Sequence, residues 1–93
     1  MMENLMELYP IGSVIRLRGA TKNVMIFGVC QTEKEKGEEY DYIGVLWPEG
    51  NIGNEGQILF NHKDIEEVIF TGYSNEERMT FLARLKEFYE TKV

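Results

Sequence analysis

Tyr40-Asp41-Tyr42-Ile43-Gly44-Val45-Leu46-Trp47-Pro48-Glu49-Gly50-Asn51-Ile52-Gly53 is the stretch that decides how this 93-residue chain folds. Tyr40 to Trp47 is rich in aromatic and β-branched residues, which suit a half-buried pleated surface. Alternation puts Tyr40, Tyr42, Gly44 and Leu46 on one face and Asp41, Ile43, Val45 and Trp47 on the other. Gly44 removes bulk in mid-strand, the mark of a bulge, a bend or a close backbone approach. Pro48 has no amide hydrogen and ends the ladder. The glycines that follow make a long turn out to Gly56. The strand therefore belongs to a sheet, and its Pro- and Gly-punctuated exit carries the only tryptophan.

Upstream, Ser13 to Arg18 alternates Ile15 and Leu17 with Arg16 and Arg18, as a strand with one wet face does. Gly19 to Asn23 is a turn. Val24 to Gln31 is a second strand whose run Val-Met-Ile-Phe-Gly-Val predicts burial on both faces. A hairpin joins the two. Thr32 to Glu39 is charged and turn-rich, an exposed mobile connection. The entry, residues 1–9, predicts a short helical turn over Met2 to Leu8, stopped by Tyr9-Pro10-Ile11-Gly12.

Downstream, Gln57 to Phe60 is a short strand, Asn61 caps a turn through Asp64, and Ile65 tucks beneath it. Glu67 to Gly72 is the last strand, with Val68 and Phe70 on one face and Ile69 and Thr71 on the other. Ser74 and Glu77 have the spacing of a capping box opening a helix from about Asn75 to Thr91. Phe81, Leu82, Leu85, Phe88 and Tyr89 form its apolar stripe, with one of Phe88 and Tyr89 left exposed. Glu76 and Glu77 at its start and Lys92 at its end suit the helix dipole. The expected fold is one α+β domain over residues 1–93, with a β-roll at 13–73 and a C-terminal helix at 75–91. The sheet is small, antiparallel, strongly bent and of about five strands, akin to an SH3-like barrel, with a more open sheet as the alternative.

Composition narrows the function. With 43% hydrophobic and 28% charged residues, the chain has the make-up of a folded domain rather than a disordered one. A net charge of -6 with scattered basic residues, Arg16, Arg18 and Lys22 being the nearest to a cluster, argues against nucleic acid. No apolar run is long enough to span a bilayer, and the first residues lack the pattern of a signal peptide, so the cytoplasm is the expected compartment. Cys30 is the only cysteine; its neighbours Phe27 and Val29 mark it as a buried small hydrophobe. His62 is the only histidine, so neither a zinc site nor an activated nucleophile can be assembled, and no cofactor is implied. Glu49, Asn51 and Glu55 lack the spacing of a calcium loop.

Binding is the better prospect. Trp47, Pro48, Glu49, Asn51 and Ile52, with His62 standing beside them, are the candidate partner-binding residues, since an aromatic at the mouth of a loop can anchor an interface. The competing readings are that Trp47 closes one end of the core and that His62 braces the turn between the last two strands. The partner is expected to be a protein, with the chain itself a monomer or small homo-oligomer.

The series Tyr9-Pro10-Ile11-Gly12-Ser13-Val14-Ile15-Arg16-Leu17, Val24 to Gly28, Tyr40 to Val45, Pro48-Glu49-Gly50, Leu59 to Ile65 and Val68 to Tyr73 resembles a family of small bacterial proteins known as domain-of-unknown-function family 4176. The resemblance runs from about Leu8 to Leu85. Such proteins are typically encoded in Gram-positive bacteria beside type VII secretion genes and their polymorphic toxins. The resemblance implies an accessory role, a cytoplasmic chaperone or targeting adaptor for a secreted toxin. An immunity or regulatory protein that neutralises a toxin is the alternative. It implies no catalytic residues.

Overall fold

A computed structural model describes residues 4–91. Five strands, β1 (Val14–Leu17), β2 (Asn23–Thr32), β3 (Glu39–Trp47), β4 (Gln57–Phe60) and β5 (Ile65–Phe70), form one sheet, and one helix, α1 (Glu76–Thr91), follows. Short 3-10 turns lie at Leu5–Glu7, Asn54–Gly56 and His62–Asp64. The expected entry turn is present over Leu5–Glu7, capped by the Asn4 side chain; residues 1–3 lie outside the described residues, as does Lys92.

All pairings are antiparallel and the order is β4-β3-β2-β1-β5. β4 and β5, consecutive in sequence, thus occupy opposite edges. A flat sheet would hold those edges about 19 Å apart. The link from Phe60 to Ile65, even fully extended, reaches only about 17 Å, and much of it is wound into the His62–Asp64 turn. The sheet has to curl. The turn is tied to the end of β1 by the Arg18 amide, which donates to the Asp64 carbonyl at 2.9 Å. The sheet stays open, with β4 and β5 unpaired to each other. The α+β roll expected from the sequence is therefore present, in its open form.

The core lies on the inner face. Ile15 stands opposite Val24 and Val68, and Val24 opposite Leu46. Ile15, Val24, Ile26, Tyr42 and Phe60 from the sheet meet Leu5 and Leu8 from the entry and Leu82 from α1. Gly44 makes the close approach its sequence position suggested: a Cβ there would stand 2.5 Å from Val24 Cγ1 and 2.9 Å from the Met25 carbonyl oxygen.

Four expectations are corrected. β2 is not buried on both faces. A bulge between Ile26 and Gly28 adds Phe27 to the strand, so Ile26 and Val29 both serve the core while Phe27 is exposed. In β5 a register shift between its Phe70 and Val68 pairings skips Ile69. Val68 consequently packs inward, while Phe70 stands opposite Val14, away from the main core. On α1, Leu82, Leu85 and Tyr89 pack on the core, but Phe81 and Phe88 are exposed. The helix N-cap is Asn75 rather than Ser74: Asn75 Oδ1 accepts from the Arg78 amide at 3.0 Å. Ser74 Oγ instead accepts from the Arg78 guanidinium.

Two local differences complete the description. Cys30 is half-buried at the margin of the core and holds a left-handed backbone, φ 55°. Burial above all, with the nearby charges of Asp41 and Glu39, raises its thiol pKa. The charged connection before β3 is an exposed, hydrogen-bonded turn: the Glu33 carboxylate accepts from the amides of Glu35 and Lys36.

Candidate functional site

The β3 exit delivers Trp47 to the outer face of the sheet, opposite the one that carries the core. Cross-strand register defines that face in two rows. Phe70, Val14, Met25, Val45 and Gln57 lie side by side, and next to them Glu67, Arg16, Asn23 and Trp47. Val14 and Val45 are buried by their neighbours. Trp47 is 49% exposed, Ile69 48% and Phe70 60%. A shallow depression lies among Val14, Met25, Trp47, Ile69 and Phe70. Trp47 is therefore a surface residue rather than a plug for the core.

The charges around this face are matched in pairs. Arg16 reaches Glu67 at 3.4 Å, and Lys22 reaches Glu49 at 2.8 Å. The hydrogen bonds from Lys22 hold the Glu49 carboxyl below its ordinary range. Such exposed pairs add little stability. Their effect here is local neutrality around an apolar patch.

The remaining loop residues are close by in the chain. Pro48 follows a cis Trp47–Pro48 bond. Asn51 Oδ1 accepts from the Gly53 amide at 3.1 Å and shapes the turn. Ile52 is 67% exposed and lies against Gly56, where a Cβ would collide with it. Glu49 and Asn51 are thus both occupied. Among the described residues no three of His, Cys, Asp and Glu stand close enough together to hold a metal ion. Nor is any helix among them long and apolar enough to cross a membrane.

His62 does not stand beside Trp47. Its Nδ1 shares a 2.7 Å hydrogen bond with the Tyr42 hydroxyl. Tyr42 is five residues back along β3, about 16 Å of strand, and on the opposite face. The Tyr42 hydroxyl also accepts from the Tyr9 amide at 2.9 Å. The Tyr9 ring stacks on the imidazole, centroids 4.8 Å apart. The His62 amide donates to buried Asp41 at 2.8 Å. These bonds tie the entry segment and the turn to β3, so the histidine braces, as one of the two sequence readings had it. Burial raises the Tyr42 pKa far above the ordinary phenol value.

The sequence did not single out Phe70, Ile69, Met25 and Val14 as companions of Trp47. Their common face is set by strand register and by the β5 bulge, which no local pattern announces.

A second apolar groove runs on the helix side among Tyr9, Ile11, Val29, Tyr73, Phe81 and Leu82. Glu77 lines it, and Arg78 at its wall is already engaged, donating to the Leu8 carbonyl at 2.7 Å.

A family model described as "Domain of unknown function (DUF4176)" matches residues 8–81. No curated protein and no solved structure matches the chain.

Proposed function

We propose, because this chain belongs to the DUF4176 family, whose model spans most of its length, that it is a non-enzymatic, protein-binding accessory factor. The observation that carries the reading is the half-exposed Trp47 on an outer sheet face that also presents Ile69 and Phe70. Exposed apolar patches of this kind mark interaction sites. Aromatic residues are the usual anchors of such sites.

Docking on the face is favoured over strand addition at an edge. β5 is irregular at two points of its pairing with β1, and β4 is only four residues long. Bulges and short strands are the devices that blunt sheet edges. The partner's contact surface should be apolar and uncharged, to suit the neutral surroundings of Trp47. In the finer form of the proposal the chain is a cytoplasmic chaperone or targeting adaptor for a type VII secreted toxin, as its resemblance implies.

Co-purification from the native host, with partners identified by mass spectrometry, tests it. A secretion substrate or secretion component is the expected prey, and recovery of neither argues against the adaptor role. Trp47→Ala should weaken the complex at least about tenfold while leaving the circular dichroism spectrum unchanged. Co-expression with the toxin domain alone separates the alternatives. Protection of the cells would make the chain an immunity protein; an adaptor leaves the toxicity in place.

A further inference from the structure

We infer that α1 carries a second seam, and that two copies of this chain pair through it with their helices antiparallel across a two-fold axis. The inference is independent of the Trp47 face, which the pairing leaves open.

Glu77, Phe81, Arg84 and Phe88 follow one another at intervals of four, three and four residues. That is the spacing by which one helix seats against another in a coiled-coil seam. The four form a narrow strip turned about 100° from Leu82, Leu85 and Tyr89, which pack on the core. All four are exposed. Among the described residues no other helix exceeds a single turn, so none of those covers the strip.

The two charged positions select the occupant. Glu77 and Arg84 are two turns apart, about 10.5 Å along the helix. Neither takes part in an ion pair among the described residues, although both line one shallow depression with Thr80 and Phe81. An acid and a base placed this way along a seam complement the same seam reversed. With the two-fold axis midway between them, each Glu77 stands level with the other copy's Arg84, and two ion pairs form at once. A parallel pair would set Glu77 on Glu77 and Arg84 on Arg84. Polar groups at seam positions fix register and orientation in this manner.

The same operation places an aromatic ring. Phe88 lies four residues beyond Arg84, about 6 Å of rise. In the pair it reaches past the other copy's Glu77 to the chain that enters that helix. There a groove of about 480 Å³ lies among Tyr9, Ile11, Val29, Tyr73 and Phe81. Phe88 is not one of its walls, so the ring of one copy meets a recess of the other, and symmetry repeats the contact. Ile11, Tyr73, Phe81 and Phe88 are each more than half exposed. At about 100 Å² apiece they supply roughly 800 Å² of apolar area between two copies. The stems of Glu77, Thr80 and Arg84 bring the contact to the roughly 1,000 Å² of a specific interface. A net charge of -6 on each copy opposes the association. The dimer is therefore reversible, and the chain is monomeric at about micromolar concentration.

Sedimentation equilibrium of the full chain over a concentration series tests the inference. The expected result is a monomer–dimer equilibrium. Glu77→Arg and Arg84→Glu should each weaken it by at least about tenfold, because like charges then face each other twice. The double variant, Glu77→Arg with Arg84→Glu, keeps the net charge and should restore the dimer. Phe88→Ser should also weaken it by at least about tenfold, and Phe70→Ser on the outer sheet face should leave it unchanged. All these positions are exposed, and circular dichroism checks that each variant is folded. A wild-type chain that stays monomeric up to about millimolar concentration overturns the inference. So does a dimer that the single charge reversals leave intact, or one that the double variant fails to restore.

Discussion

Tyr42 ties together the entry segment, β3 and the turn after β4. It is fully buried, its hydroxyl accepts from the Tyr9 amide and bonds His62, and its ring stacks on Phe60 at 5.3 Å. Tyr42→Phe keeps the ring and strands the Tyr9 amide and the His62 nitrogen. The expected cost is about 1–3 kcal/mol, read as a lower midpoint in urea. The raised Tyr42 pKa also fixes a pH dependence. Folding favours the neutral phenol, so this contribution is intact below the unfolded-state value near pH 10 and is lost as the pH climbs above it toward the folded-state value. The decline approaches about 1.4 kcal/mol per pH unit for one proton. Tyr40 and Tyr89 are raised as well, so the quantity to measure is the difference between wild type and Tyr42→Phe, which should narrow from about pH 10 upward. The sequence placed Tyr42 in a half-buried strand and offered His62 as a brace. It could not join them, because the bond crosses from β3 to a turn twenty residues later.

At the scale of elements, α1 shows how far periodicity reaches. Phe81, Leu82, Leu85, Phe88 and Tyr89 span an arc of about 120° on a helix, wider than the strip that touches the core. The helix is rotated so that Leu82, Leu85 and Tyr89 face the core, with Phe81 and Phe88 to one side of them. Leu82→Ala should therefore cost about 2–5 kcal/mol. Phe81→Ala should stay within about 0.5 kcal/mol, both read from denaturant midpoints. Equal losses would mean that the stripe packs as a whole. β5 teaches the same lesson with a period of two: skipping Ile69 sends Phe70 to the outer face. A bulge is a fit between two strands, so a single strand's sequence does not display it.

For the whole molecule, one crossing of the chain is especially tight. After β5 the chain passes over the segment leading into β1, where a Cβ on Gly72 would overlap the Ile11 carbonyl oxygen and crowd the Ser13 amide. The Gly72 amide donates to the buried Ser13 hydroxyl at 2.9 Å. Gly72→Ala should destabilise the domain by about 1–3 kcal/mol, with a thermal midpoint to match. It acts on backbone, which cannot step aside as a side chain can. The sequence by itself determined the strand-rich middle, the single C-terminal helix, the turn at Asn61 and the strand break at Pro48. These follow from alternation, capping and the missing proline amide, all local properties. It also marked Trp47 as the residue to watch. Only the tertiary structure decided that Trp47 belongs to the surface and His62 to a brace on the other face. It decided too that Met25, Ile69 and Phe70 share the tryptophan's ground. Those placements depend on register, on two bulges and on the curl forced by the short link between opposite edges. Each is a relation between segments distant in the chain.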